Sequence, residues 1–199
     1  VSVSVFAQAD KPVDFPEGPG QWIMTAEEKR EWRGVKDETR AQELIDLFWA
    51  RRDPTQGTAV NEFRAEFNER VAYADRKFEE GRRRGALTER GRVLIVLGFP
   101  KELAEEGVTS TAHYSSSSGG SNDAMDPTGQ RALAARSVWN YEYEQAQKFG
   151  MPKIEVVFIH DGTNNRVRRD TQRNDFIRAL PRAVEYYVKN PDLKTLAEW

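Results

Sequence analysis

The chain has 199 residues, 38% hydrophobic and 31% charged, with 30 Lys and Arg against 32 Asp and Glu, enough for one domain with a hydrophobic core. A mean hydropathy of -0.75 and a longest apolar run of five residues, Val93 to Leu97, exclude a membrane-spanning helix, which needs about 20 apolar residues. The near-neutral balance excludes a wholly basic nucleic-acid binder, and the lack of cysteine excludes disulfides, thiolate metal sites and a Cys nucleophile.

Residues 1–9 are mostly small or apolar and finish in Ala7, Gln8 and Ala9, the small-x-small pattern of a signal-peptidase site. They read as the remnant of a signal peptide and predict a periplasmic or secreted protein. Residues 10–20 carry Pro12, Pro16, Gly18, Pro19 and Gly20 and read as a flexible tether. The body of the domain is expected over 21–190, with 191–199 as a C-terminal tail.

Thr25 and Glu28 form a capping box, in which the hydroxyl takes the third helical amide and the carboxylate reaches back, so a helix should run from Ala26 to about Gly34. Ala41, Leu44, Ile45, Phe48 and Trp49 recur with helical period and predict a second helix from about Lys36 to Arg52, stopped by Asp53 and Pro54. The stripe Val60, Phe63, Phe67, Val71, Ala74 and Phe78 predicts a third.

After Gly85 the period changes. The β-branched and aliphatic run Arg92 to Leu97, closed by Gly98, Phe99 and Pro100, reads as a strand buried on both faces. The segment from Lys101 to Arg136 has no sustained period, includes Ser115 to Ser118 beside Gly119 and Gly120, and reads as a mobile insertion. Val138 to Tyr143 alternates, with Trp139, Tyr141 and Tyr143 on one face, and Ile154 to Ile159 is a further apolar strand. Asp161, Gly162, Asn164 and Asn165 supply a tight turn into a strand from Arg166 to about Thr171. A last helix, capped by Asn174 or Asp175, should turn Phe176, Ile177, Leu180, Val184, Tyr187 and Val188 inward and bend at Pro181. The fold class is therefore α+β, with N-terminal helices packed on a small, mostly antiparallel sheet and a C-terminal helix.

Several stretches carry a longer pattern: Trp22 to Glu28 (WIMTAEE), Phe48 to Glu66 (FWARRDPTQGTAVNEFRAE), Arg70 to Phe78 (RVAYADRKF), Thr88 to Gly98 (TERGRVLIVLG), Trp139 to Tyr143 and Phe158 to Asp161. In these the chain resembles the GWxTD domain family of bacterial proteins over most of residues 22–170. The family's signature of Gly, Trp, any residue, Thr and Asp stands here as Gly85, Ala86, Leu87, Thr88 and Glu89, without the Trp and with Glu in place of Asp. The resemblance names a domain without naming a reaction, and it implies an exported bacterial protein.

The candidate binding residues are Arg51, Arg52, Asp53, Thr58, Asn61 and Glu62, at the turn between the second and third helices, together with Arg90 and Arg92. Arg51 or Arg52 can clamp a carboxylate or phosphate with both guanidinium edges. The other reading of the same turn has Asp53 and Thr58 satisfying backbone donors while an Arg pairs with a buried carboxylate from another helix. Two basic runs, Arg82 to Arg84 with Arg90 and Arg92, and Arg166, Arg168, Arg169 and Arg173, are candidates for contact with an anionic polymer, a lipid headgroup or an acidic protein.

Metal ligation has little basis: His113 sits in the Ser-rich segment, His160 stands beside Asp161, and Asn122, Asp123, Asp126 and Thr128 miss the EF-hand spacing. Trp22 and Trp199 lie off any apolar stripe and become interface candidates if exposed. The first functional expectation is a non-catalytic, exported interaction module that binds an envelope protein or anionic polymer through Arg-rich surfaces, with no cofactor, metal or nucleic acid. The alternative is a hydrolase assembled from Asp53, Glu62, Thr88 and Glu89, which requires two of the carboxylates in one cleft.

Overall fold

A computed structural model of the chain describes residues 11–106, 136–160, 164–168 and 175–198. The proposed signal-peptide remnant, Asn174 and most of the 101–136 insertion lie outside the described residues.

Residues 12–20 of the expected 10–20 tether instead enter two 3-10 turns, Pro12–Glu17 and Pro19–Trp22. Pro at the start of each turn fixes the φ that such a turn needs. Phe15 supplies the energetic reason, since its ring lies 5.0 Å from Phe48 and 5.7 Å from Trp32. Gly20 is needed there because a Cβ would come within 2.7 Å of that ring.

Helix α1 (Ala26–Glu31) opens on the expected capping box of Thr25 and Glu28. Helix α2 (Glu38–Ala50) is capped by Asp37 and buries Ala41, Leu44, Leu47, Phe48, Trp49 and Ala50. Helix α3 (Glu62–Lys77) is capped by Asn61 and buries Phe63, Phe67, Arg70 and Ala74. Val60 falls before its first turn and is 58% exposed, so it leaves the stripe to which its spacing assigned it.

The run expected as a central strand is a helix, α4 (Glu89–Leu97), with Gly91 and Val93 to Leu97 all buried. A short apolar run is equally compatible with a buried strand or a buried helix, and here local capping decides. Thr88 accepts the Gly91 amide at 3.1 Å, and Gly91 packs so closely on the preceding turn that a Cβ would lie 2.0 Å from the Gly85 carbonyl oxygen. Gly98, at φ +85°, ends the helix.

Carbonyls at a buried helix end must find donors, and side chains from three other elements supply them. Arg70 donates to Ile95 at 3.0 Å, Tyr187 to Val96 at 2.6 Å and Tyr141 to Gly98 at 3.1 Å. Burial raises the pKa of both tyrosines, and at Tyr187 it outweighs the opposing pull of Arg70, so both phenols stay protonated as donors.

Strands β1 (Glu102–Glu106), β2 (Arg136–Tyr141), β3 (Ile154–His160) and β4 (Asn165–Val167) form one antiparallel sheet in sequence order. Strand β1 arises inside the stretch expected as an insertion and pairs with β2, Leu103 opposite Trp139. Alternation in β2 buries Trp139 and Tyr141, but the chain leaves the strand before Tyr143, which is 62% exposed in a short helix α5 (Tyr143–Ala146). Strand β4 folds back on β3 with Val167 opposite Phe158. Residues 169–171 of the expected fourth strand lie outside the described residues.

Helix α6 (Phe176–Tyr187) buries Phe176, Ala179, Ala183 and Tyr187. The inward stripe is thus rotated from the expected one and leaves Ile177 45% exposed, because the two alanines allow close approach to the core. Pro181 lies within this helix on its exposed side. Just before the expected 191–199 tail the amides of Lys189 and Asn190 donate to the Arg51 carbonyl, and within the tail Leu193 is buried. The architecture is α+β, with the helices covering the sheet face that carries Trp139, Tyr141, Ile154, Val156 and Phe158.

Candidate functional site

The turn between α2 and α3 uses its polar side chains internally. Arg52 is fully buried, donates to both Glu28 oxygens at 2.7 Å, and also reaches the carbonyls of Ile23 at 2.7 Å and Phe48 at 2.9 Å. Its guanidinium carbon sits 3.7 Å from the centre of the Phe48 ring. Arg51 forks onto Glu31 at 3.1 and 3.3 Å and donates its Nε to the Leu193 carbonyl.

Burial works to raise the Glu28 carboxyl pKa, but the Arg52 hydrogen bonds and charge, the Thr25 amide and Arg51 together hold it below the usual carboxylate range. Arg51 likewise loses charge stability by burial and regains more from Glu31 and Glu28, so it stays cationic.

Asp53 accepts the Thr55 amide at 3.0 Å. The Thr58 hydroxyl donates toward the carbonyls of Thr55 and Val60, each at 2.9 Å, so it serves acceptors rather than the expected donors. Asn61 caps α3 through the Arg64 amide and donates to the Trp49 carbonyl. Glu62 is exposed in the first turn of α3, where a negative charge favours the helix end.

The stretch from Gly85 to Glu89 also has a physical account. A Cβ on Gly85 would lie 1.9 Å from the Ala74 carbonyl oxygen, so only glycine fits beside α3. Ala86 is buried; Asp75 accepts its amide, and its carbonyl accepts the Trp22 indole N–H at 2.9 Å. Trp22 is thus half-buried and engaged. Trp199 lies outside the described residues. The Thr88 hydroxyl donates to Gly85 and accepts from Gly91 while fully buried, which occupies the atom that a nucleophile would need.

Glu89 accepts the Val167 amide, and Glu80 accepts the Asn165 amide at 2.9 Å. These two amides face away from β3, whereas that of Arg168 faces toward it and donates to Val157. Two carboxylates therefore seal the outer edge of β4, which would otherwise be a template for strand pairing.

Arg90 and Arg92 turn onto aromatic rings. Arg90 lies over Phe78 at 4.9 Å and 4.0 Å from Glu80, and Arg92 lies between Trp22 at 5.1 Å and Phe176 at 5.4 Å. Neither joins Arg51 and Arg52.

The two basic runs, by contrast, converge. Arg83 from the first and Arg166 and Arg168 from the second line one open groove of about 580 Å³, together with Glu80, Glu89 and Asn165. Arg84 is held by Asp75 at 2.8 Å. Arg169 and Arg173 lie outside the described residues. A second groove, between α2 and α3, carries Trp49, Asp53, Val60, Asn61, Arg64 and Leu196. Asp53 and Glu89 therefore line different grooves, and Glu62 lines neither.

Among the described residues no group of three or more His, Asp or Glu side chains could hold a metal. His160 ends β3, and His113 and the acidic residues near it lie outside the described residues. Neither Arg70 nor Glu80 is among the candidates that the sequence offered. The signal for Arg70 was its spacing, three residues after Phe67 and four before Ala74, which places it on the buried stripe.

Comparison with known proteins finds that a family model described as GWxTD domain matches residues 17–157. No curated protein and no solved structure matches the chain.

Proposed function

The chain belongs to the GWxTD domain family, and on that premise we propose that it is a non-catalytic interaction module which binds an acidic partner in the groove lined by Arg83, Arg166 and Arg168. The observation that carries this reading is convergence: two basic runs far apart in sequence meet on one concave surface, where several guanidinium groups act together on an anion. The polar turn from Arg51 to Asn61 supports the same reading by being spent on internal bonds, which makes it scaffolding. The dispersal of Asp53, Glu62 and Glu89 supports binding over hydrolysis.

We place the module outside the cytoplasm, in the periplasm or secreted, in an envelope setting; the small and apolar composition of residues 1–9 supports this. No helix among the described residues is long and apolar enough to cross a membrane.

Fluorescence anisotropy with labelled polyglutamate and the full chain tests the reading. Binding should weaken as salt rises, because the attraction is between exposed charges, and Arg83→Glu should weaken it about tenfold at low salt. Absence of binding, or binding indifferent to Arg83→Glu, would refute it.

A further inference from the structure

The groove has a directional feature that a diffuse basic patch lacks. Arg166 and Arg168 are two residues apart on an extended segment, so they belong to the same face of it and repeat at about 6.8 Å. Arg83 stands in the same groove from the turn that precedes α4. An extended polypeptide has the same repeat on each of its own faces.

Glu80 and Glu89 add a second constraint. Because their carboxylates hold the outward amides of Asn165 and Val167, a ligand cannot gain the usual main-chain bonds of strand addition without displacing them. Recognition must then come from side chains. The same two carboxylates weaken the hold on a polymer with an unbroken line of negative charge, relative to a segment whose acidic groups alternate with neutral ones and which can match the arginines and turn its neutral groups away.

Resting on the reading of this groove as an anion site, we propose that its occupant is an extended acidic segment of a partner protein, with Asp or Glu at every second position read by Arg166 and Arg168. The neutral side chains of the segment lie on its opposite face and point to solvent.

The test uses the full chain and three labelled probes of equal charge. One peptide carries glutamates at every second position with serine between, one carries the same number of glutamates at every third position, and the third probe is linear polyphosphate. The period-two peptide should bind about tenfold more tightly than either of the others, since only it places consecutive carboxylates on one face at the arginine repeat. Arg166→Glu, at an exposed position, should abolish that preference, and an unchanged melting temperature shows that the fold is kept.

If the two peptides bind equally and Arg166→Glu weakens both, the groove remains an anion site but the proposed register is wrong. Polyphosphate binding as tightly as the period-two peptide would overturn the assignment to a protein segment. If no probe binds, the broader reading of the groove fails as well.

Discussion

Replacing Glu28 by Ala removes the carboxylate that both terminal guanidinium nitrogens of the fully buried Arg52 touch. Leaving one member of a buried ion pair alone costs about 3–5 kcal/mol, because the remaining charge keeps its desolvation penalty without its partner. The bonds from Arg52 to the Ile23 and Phe48 carbonyls survive, which holds the loss toward the lower end. Loss of the Glu28 half of the capping box at Thr25 adds about 0.5–1 kcal/mol. The sum is about 4 kcal/mol, and at roughly 2–4 °C per kcal/mol for a chain of this size the melting temperature should fall by about 8–16 °C.

Urea unfolding followed by circular dichroism, with the five tryptophans as a second probe, measures the change. The double variant Glu28→Leu with Arg52→Met should recover most of the loss, since neither charge is then buried. A single variant that loses less than about 1 kcal/mol, or a double variant no better than the single, would refute the assignment of this pair to scaffolding.

The Glu28 environment also sets a pH dependence. Its carboxyl pKa is lower in the folded chain than the ordinary 4.5, so the stabilisation is complete above 4.5 and drains away as the pH falls from there through the folded value; acid titration of the urea midpoint should show a loss in that window that Glu28→Gln reduces. Glu89→Ala should cost about 1–3 kcal/mol by stripping the Val167 amide of a charged acceptor, and hydrogen exchange at Val167 should quicken while that at Arg168, which is bonded to β3, changes little. Gly85→Ala drives a Cβ into the Ala74 carbonyl and should destabilise by about 1–3 kcal/mol or more; thermal unfolding checks this, with Gly34→Ala as a contrast in which φ is unfavourable but nothing lies within 4 Å.

Parts of the fold were legible because they depend on neighbours within a turn or two. The Thr25 and Glu28 box, the stripe of α2 and the alternation of Trp139 and Tyr141 each follow from spacing alone. The misread elements are those in which the local pattern admits two answers. Val93 to Leu97 is apolar throughout, and such a run carries no period; the choice of helix fell to Thr88 below it and to Arg70, Tyr187 and Tyr141 above it. Residues 10–20 look like a linker by Pro and Gly content, yet Phe15 finds an aromatic cleft that only the assembled helices create.

What the residues determined by themselves was the α+β class, most helix starts and the presence of basic runs, since short-range hydrogen bonds and hydrophobic periodicity are properties of contiguous chain. Tertiary structure alone decided which charges are spent and which face outward. Arg52 and Arg83 are the same residue type at exposed-looking turns, but the first meets Glu28 in the core while the second meets Arg166 across a groove. The physical reason is that the fate of a charge depends on the dielectric and the partners that distant segments bring to it, and spacing along the chain carries no record of either.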